Sequence, residues 1–96
     1  ETATRFTLDI AAVPVIHKQS LYPVCIDVSH PAGQRDLVPS LAYAAVAAGA
    51  DSLMIEVHPN PPAALSDGPQ QLTPAQFCDL VAELRELAAC LGKTIV

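Results

Sequence analysis

His30, Glu56 and Asp67 supply one imidazole and two carboxylates, a donor set suited to Mn²⁺, Fe²⁺, Co²⁺ or Zn²⁺ and less to Ca²⁺. Their spacing fits no compact finger or hand motif, so only a fold could bring them together. Asp27 lies inside the apolar run VCIDV, and Glu56 lies between Ile55 and Val57. An isolated carboxylate buried in such a setting would neutralise, so each needs a hydrogen bond, an ion pair or a nearby cation. Read singly, each residue has a structural alternative. A lone His at a strand end is commonly a satisfied surface or core group, and Asp27 could accept backbone bonds or pair with an Arg. Two carboxylates on consecutive strands point instead to a shared cationic site.

Other chemistries find less support. Ser29-His30 and Ser66-Asp67 suggest a hydrolase, but there is no GxSxG elbow, and neither serine is expected on a strand-to-helix nucleophile turn. Gly33-Gln34-Arg35 is a turn, a cation and then a helix amino terminus, which is either an anion site or an ordinary loop. Cys25 reads as a packed residue, either of a strand or of a barrel interior, and Cys78 and Cys90 lie in the last helix with no evident base beside them.

The elements that must carry these residues are legible from periodicity. A helical turn is expected near residues 12–19, with Pro14 tolerated near its start. PVCIDVSH, residues 23–30, is short, β-branched and bounded by turn residues, with Val24, Ile26 and Val28 alternating against Cys25, Asp27 and Ser29. A helix follows over residues 36–48, closed by Gly49. SLMIEVHP, residues 52–59, is a second strand whose near-continuous apolar character fits cover on both faces. A Pro-rich loop then leads to Thr73, Pro74 and Gln76, a capping box opening a helix that repeats every 3.6 residues up to Gly92. The order (α)-β-α-β-α predicts parallel strands joined by right-handed crossovers.

Two strands cannot protect their own faces and edges, and a (β/α)₈ barrel usually takes about 250 residues. The expected fold class is therefore α/β: a partial TIM barrel comprising its last two β/α units. Residues 1–96 are expected to be an incomplete carboxyl-terminal segment of a single barrel domain, and the opening without Met suits a truncated or processed chain. Alternatively, if these residues form a complete chain, the exposed edges should drive oligomerisation or partner binding.

Composition narrows the function. Hydrophobic residues make up 51% of the chain and charged residues 16%, which places it among globular proteins. A net charge of −5 with no basic run argues against nucleic acid. No apolar stretch reaches membrane-spanning length and no targeting segment is evident. Three cysteines without a CxxC pair suit a reducing compartment, so a cytoplasmic location is expected.

Three blocks carry a resemblance: DVSHPAGQRDLV at residues 27–38, AGADSLMIEVHP at 48–59 and ALSDGPQ at 64–70, together with the opening ETATR and TLD at 7–9. The sequence resembles, over essentially its whole length, the carboxyl-terminal part of the type Iβ group of 3-deoxy-D-arabino-heptulosonate-7-phosphate (DAHP) synthases. The related 3-deoxy-manno-octulosonate-8-phosphate synthases share the E-x-H-P-x-P and S/C-D-G patterns, but SHPAGQRD favours the heptulosonate group.

The resemblance implies a (β/α)₈ barrel transferase. It would condense phosphoenolpyruvate with erythrose 4-phosphate at the entry to the shikimate pathway, using a divalent metal such as Mn, Fe, Co or Zn. By position, His30, Glu56 and Asp67 match three of the four protein ligands. The fourth, a cysteine near the first barrel strand, has no counterpart here, and Cys25 does not take its place. Asp27, with His30, matches a catalytic position beside the site, and Arg5 and Arg35 match basic positions near the phosphorylated substrates. The remainder of the barrel is the implied partner, and the parent protein is expected to form a homo-oligomer. Phe6, Val28 and Gln34 depart from the group's usual Asn, Pro and basic or small residue. An octulosonate-type enzyme or a non-catalytic fragment is the alternative.

Overall fold

The computed structural model describes residues 3–96, so Glu1 and Thr2 of the opening match lie outside the described residues. The chain runs α1 (Ala12–Gln19), β1 (Cys25–Asp27), a one-turn α2 (Ser29–Ala32), a 3₁₀ turn (Arg35–Leu37), α3 (Val38–Ala48) and β2 (Ser52–Met54). Two further 3₁₀ turns (Pro61–Ala63 and Gly68–Gln70) then lead to α4 (Pro74–Cys90). β1 and β2 pair in parallel, with Cys25 opposite Ser52, Ile26 opposite Leu53 and Asp27 opposite Met54. This is the expected strand–helix–strand–helix unit of an incomplete α/β barrel.

Local chemistry sets the boundaries. Thr73 and Gln76 form a reciprocal capping box, and Pro74 occupies the first helical position, where a missing N–H costs nothing. α3 ends on Gly49 at φ +101°, and the Ala50 N–H reaches back to the Ala45 carbonyl at 3.0 Å. α4 ends the same way, with Gly92 at φ +71° and the Lys93 N–H on the Ala88 carbonyl at 2.8 Å. Both are Schellman closures, in which glycine adopts a left-handed conformation that a Cβ disfavours.

α3 and α4 pack on one another against one face of the strand pair. Val24, Ile26 and Val28 are buried with Val38, Ala42, Ala45 and Val46 of α3 and with Leu80 and Leu84 of α4. Burial of each Val or Leu contributes on the order of 1.5–3 kcal/mol. The alternation read from the first strand therefore holds at these three valine and isoleucine positions.

Both strands are shorter than the periodicity suggests. β1 ends at Asp27 because Ser29 already begins α2, although the Val28 N–H still reaches the Met54 carbonyl at 3.2 Å. β2 ends at Met54, and the chain makes no further ladder pairing until Val57 bridges Leu72. The opposite strand face is uncovered. Cys25, expected to be packed, is exposed, and Met54 is 50% exposed, so among the described residues β2 lacks the two-sided cover its composition suggests. No helix among the described residues is long and apolar enough to cross a membrane.

Candidate functional site

The site lies where β1 and β2 end, the edge at which parallel β/α units carry their functional loops. Asp27, the last residue of β1, organises the turn into α2. Its Oδ1 accepts from the backbone N–H of Ser29 at 2.9 Å and of His30 at 3.1 Å, while Oδ2 lies 2.6 Å from Nδ1 of His30. A single carboxylate thus satisfies two backbone donors and orients the imidazole. Gly33, at φ +68°, then turns the chain, and a Cβ there would come within 2.7 Å of the Arg5 Cβ. That close approach lets the amino-terminal segment lie over α2, fixed by the Phe6 N–H on the Pro31 carbonyl at 3.1 Å.

Ser29 stands on a strand-to-helix turn after all, as the first residue of α2. It is fully buried, and its Oγ accepts from the backbone N–H of Glu56 at 2.9 Å. The hydroxyl thus joins the end of β1 to the segment beyond β2, and among the described residues no basic side chain is hydrogen-bonded to it that would make it a nucleophile.

Asp67 reaches the same place through a closed loop. Leu72 is 2% exposed; its N–H donates to the Glu56 carbonyl at 3.0 Å and its carbonyl accepts from the His58 N–H at 2.9 Å. The loop therefore leaves and returns beside Glu56. Asp67 takes a left-handed conformation at φ +53° and opens the 3₁₀ turn Gly68–Gln70. A Cβ on Gly68 would lie 2.5 Å from the Pro61 carbonyl oxygen, so this tight crossing admits only glycine without displacement. His58, also at the strand end by sequence, is outside the cluster; its Nδ1 accepts from the Asn60 N–H at 2.9 Å.

These constraints bring His30, Glu56 and Asp67 together. Nε2 of His30 lies 3.5 Å from Oε1 of Glu56 and 3.4 Å from Oδ2 of Asp67, and one donor atom from each residue falls within 4.8 Å of the others. An imidazole nitrogen and two carboxylate oxygens at this separation can coordinate a divalent transition-metal ion. The hydrogen bond to Asp27 raises the His30 pKa above its usual 6.5, opposed by desolvation and reinforced by the charges of Asp27, Glu56 and Asp67. Asp67 is held below the usual carboxylate range, first by its hydrogen bond to Arg5.

The two arginines sit at the rim. Arg5 Nη1 donates to Asp67 Oδ1 at 2.5 Å and to Gln70 Oε1 at 3.0 Å, and its guanidinium carbon stands 5.2 Å from the Phe6 ring centroid. Arg35 Nη2 donates to the Gly68 carbonyl at 3.0 Å. Both cations thus engage the loop that carries Asp67. Gln70, which sequence reasoning passed over as part of a polar loop, is 1% exposed and links Arg5 to Glu56, its Nε2 donating to Oε2 at 3.2 Å.

Parallel strands whose carboxyl ends converge an imidazole and two carboxylates define this chain as part of an α/β barrel with a candidate metal centre. The family model described as the DAHP synthetase I family matches residues 1–91, and the chain belongs to that family. Phospho-2-dehydro-3-deoxyheptonate aldolase of Thermotoga maritima is 53% identical over 92 residues, covering 96% of this chain and 27% of that protein. 2-Dehydro-3-deoxyphosphooctonate aldolase of Desulfosudis oleivorans is 42% identical over 88 residues, covering 80% of this chain and 32% of that one. A truncated form of 3-deoxy-D-arabino-heptulosonate 7-phosphate synthase from Thermotoga maritima superposes with a TM-score of 0.96 at 51% identity, covering all of this chain and 37% of that structure. The chain thus spans about a third of the length of the relatives it matches.

Proposed function

We propose that the protein to which this chain contributes residues 1–96, as a carboxyl-terminal barrel segment, is a DAHP synthase. Its reaction joins phosphoenolpyruvate, D-erythrose 4-phosphate and water, giving DAHP and phosphate as the first step of the shikimate pathway. The observation that carries this reading is the convergence of His30, Glu56 and Asp67 within 4.8 Å at the strand ends, in a chain 53% identical to a heptonate aldolase.

In this reading His30, Glu56 and Asp67 hold a divalent ion, Mn, Fe, Co or Zn. Such an ion supplies Lewis-acid polarisation of a carbonyl oxygen. Asp27 keeps the proton of the neutral imidazole on Nδ1 and so presents the Nε2 lone pair toward the carboxylates. Arg5 and Arg35 hold phosphate groups as charge-assisted anchors, orienting the two substrates for carbon–carbon bond formation. Activity belongs to the whole barrel, whose other strands cover the exposed face around Cys25 and Met54, and the assembly is a homo-oligomer. Three free cysteines among the described residues suit a cytoplasmic setting.

The relatives named for octonate chemistry make acceptor length the decisive test. The full-length protein is expected to release phosphate from phosphoenolpyruvate with erythrose 4-phosphate and to form a seven-carbon acid. Preference for a five-carbon aldose phosphate, giving the eight-carbon acid, would overturn the assignment in favour of the octulosonate class.

A further inference from the structure

Gln70 is a buried polar side chain in a loop, and both of its polar ends are engaged. A 3₁₀ turn eclipses side chains three residues apart, so Gln70 projects on the same side as Asp67. Arg5 Nη1 therefore meets Asp67 Oδ1 and Gln70 Oε1 together, at 2.5 and 3.0 Å. The other end of the amide donates to Glu56 Oε2 at 3.2 Å.

The result divides each carboxylate in two. Oε2 of Glu56 and Oδ1 of Asp67 face the Arg5–Gln70 brace, while Oε1 and Oδ2 face Nε2 of His30. Guanidinium only donates and carboxylate only accepts, so a residue bridging the two must accept at one end and donate at the other. Among side chains of this length only glutamine does so in a fixed plane. Glutamate would set a third carboxylate against Glu56, and asparagine is one methylene short.

We infer that Gln70 is a positioning residue for the metal centre: its amide, linked through Arg5, turns Glu56 and Asp67 so that one oxygen of each faces His30. This inference rests on the metal reading given above. Residues that orient metal ligands typically contribute about 10–100-fold to metal affinity.

The test is metal binding by the full-length protein, measured by titration with Co²⁺ against a chelator of known affinity and by the visible spectrum of the bound Co²⁺. Gln70→Met keeps the buried volume and removes both hydrogen bonds; it is expected to weaken Co²⁺ binding at least tenfold and to alter the spectrum. Gln70→Asn retains a buried amide and protects against misfolding; it is expected to weaken binding in the same sense. A purely structural role would lower thermal stability while leaving affinity and spectrum as in the wild type. Either variant, folded by circular dichroism and binding Co²⁺ within twofold of wild type with the same spectrum, would overturn the inference. Failure of the metal reading itself has a different signature, since wild type and His30→Ala would then bind Co²⁺ equally.

Discussion

Asp27 Oδ2 lies 2.6 Å from Nδ1 of His30, which leaves Nε2 of the same ring facing Glu56 and Asp67. An acceptor-only carboxylate keeps a proton on Nδ1 and leaves the Nε2 lone pair of the neutral ring free. Asp27→Asn can donate to Nδ1 instead and favours the opposite tautomer, with its proton on Nε2. Divalent-metal affinity is expected to fall by about 10–100-fold, measured by competitive chelator titration. Unchanged affinity in a folded variant would remove Asp27 from the site.

Ser29 makes a separate prediction about stability. Its fully buried Oγ accepts the Glu56 N–H, and Ser29→Ala leaves that donor without its partner. The expected cost is about 1–3 kcal/mol in chemical denaturation of the full-length protein. A loss below a few tenths would mean that the amide finds another acceptor.

How much of this was legible in the sequence depended on the range of the interaction. The Thr73–Gln76 capping box and the Gly49 and Gly92 closures are local, so residue type and spacing were enough to place them. The parallel pairing followed from the repeated strand-to-helix pattern, and the clustering of His30, Glu56 and Asp67 from the family blocks. Gln70 was missed because its two partners lie 65 and 14 residues away, and a glutamine within SDGPQQ reads as solvated. β-branched alternation carries on to Val28 and so predicts a strand through Ser29, whereas Asp27 begins a turn by accepting two backbone N–H groups. Cys25 is exposed where the sequence predicts packing, because periodicity assigns a residue to a face and not to what covers it.

Glycine offers a paired comparison. Gly68→Ala meets the Pro61 carbonyl at 2.5 Å, whereas Gly92→Ala meets nothing within 4 Å and must only hold a left-handed φ of +71°. Gly92→Ala is expected to cost roughly 1–2 kcal/mol and to leave metal affinity unchanged. Gly68→Ala is expected to cost about 1–3 kcal/mol by overpacking and also to weaken metal binding, because the crossing that places Asp67 must open. Chelator titration of the two variants checks the difference; equal affinities would show that Asp67 does not depend on this crossing.

At the opposite end of the strands, Asp51 Oδ2 accepts from the Val24 N–H at 2.7 Å and lies 2.8 Å from Nε2 of His17. The Val24 bond first, and then His17, hold its carboxyl below the usual 3.8. A depressed folded-state pKa gives stability that is present above the unfolded value and is lost as pH falls through the folded one. Asp51→Asn is therefore expected to be less stable than wild type at pH 7, with the gap narrowing as the pH drops below about 4. Denaturation midpoints at pH 7 and pH 3 measure the gap; a gap of equal size at both would contradict the linkage.

Metal content and condensation activity of the full-length protein, compared with His30→Ala and Glu56→Gln, bear most directly on the proposed function. Each folded variant is expected to lose the ion and to lose formation of the seven-carbon product by at least 10²-fold, on the order of 3 kcal/mol in the barrier. Folded variants that keep both the ion and full activity would contradict the assignment of His30 and Glu56 to the metal centre.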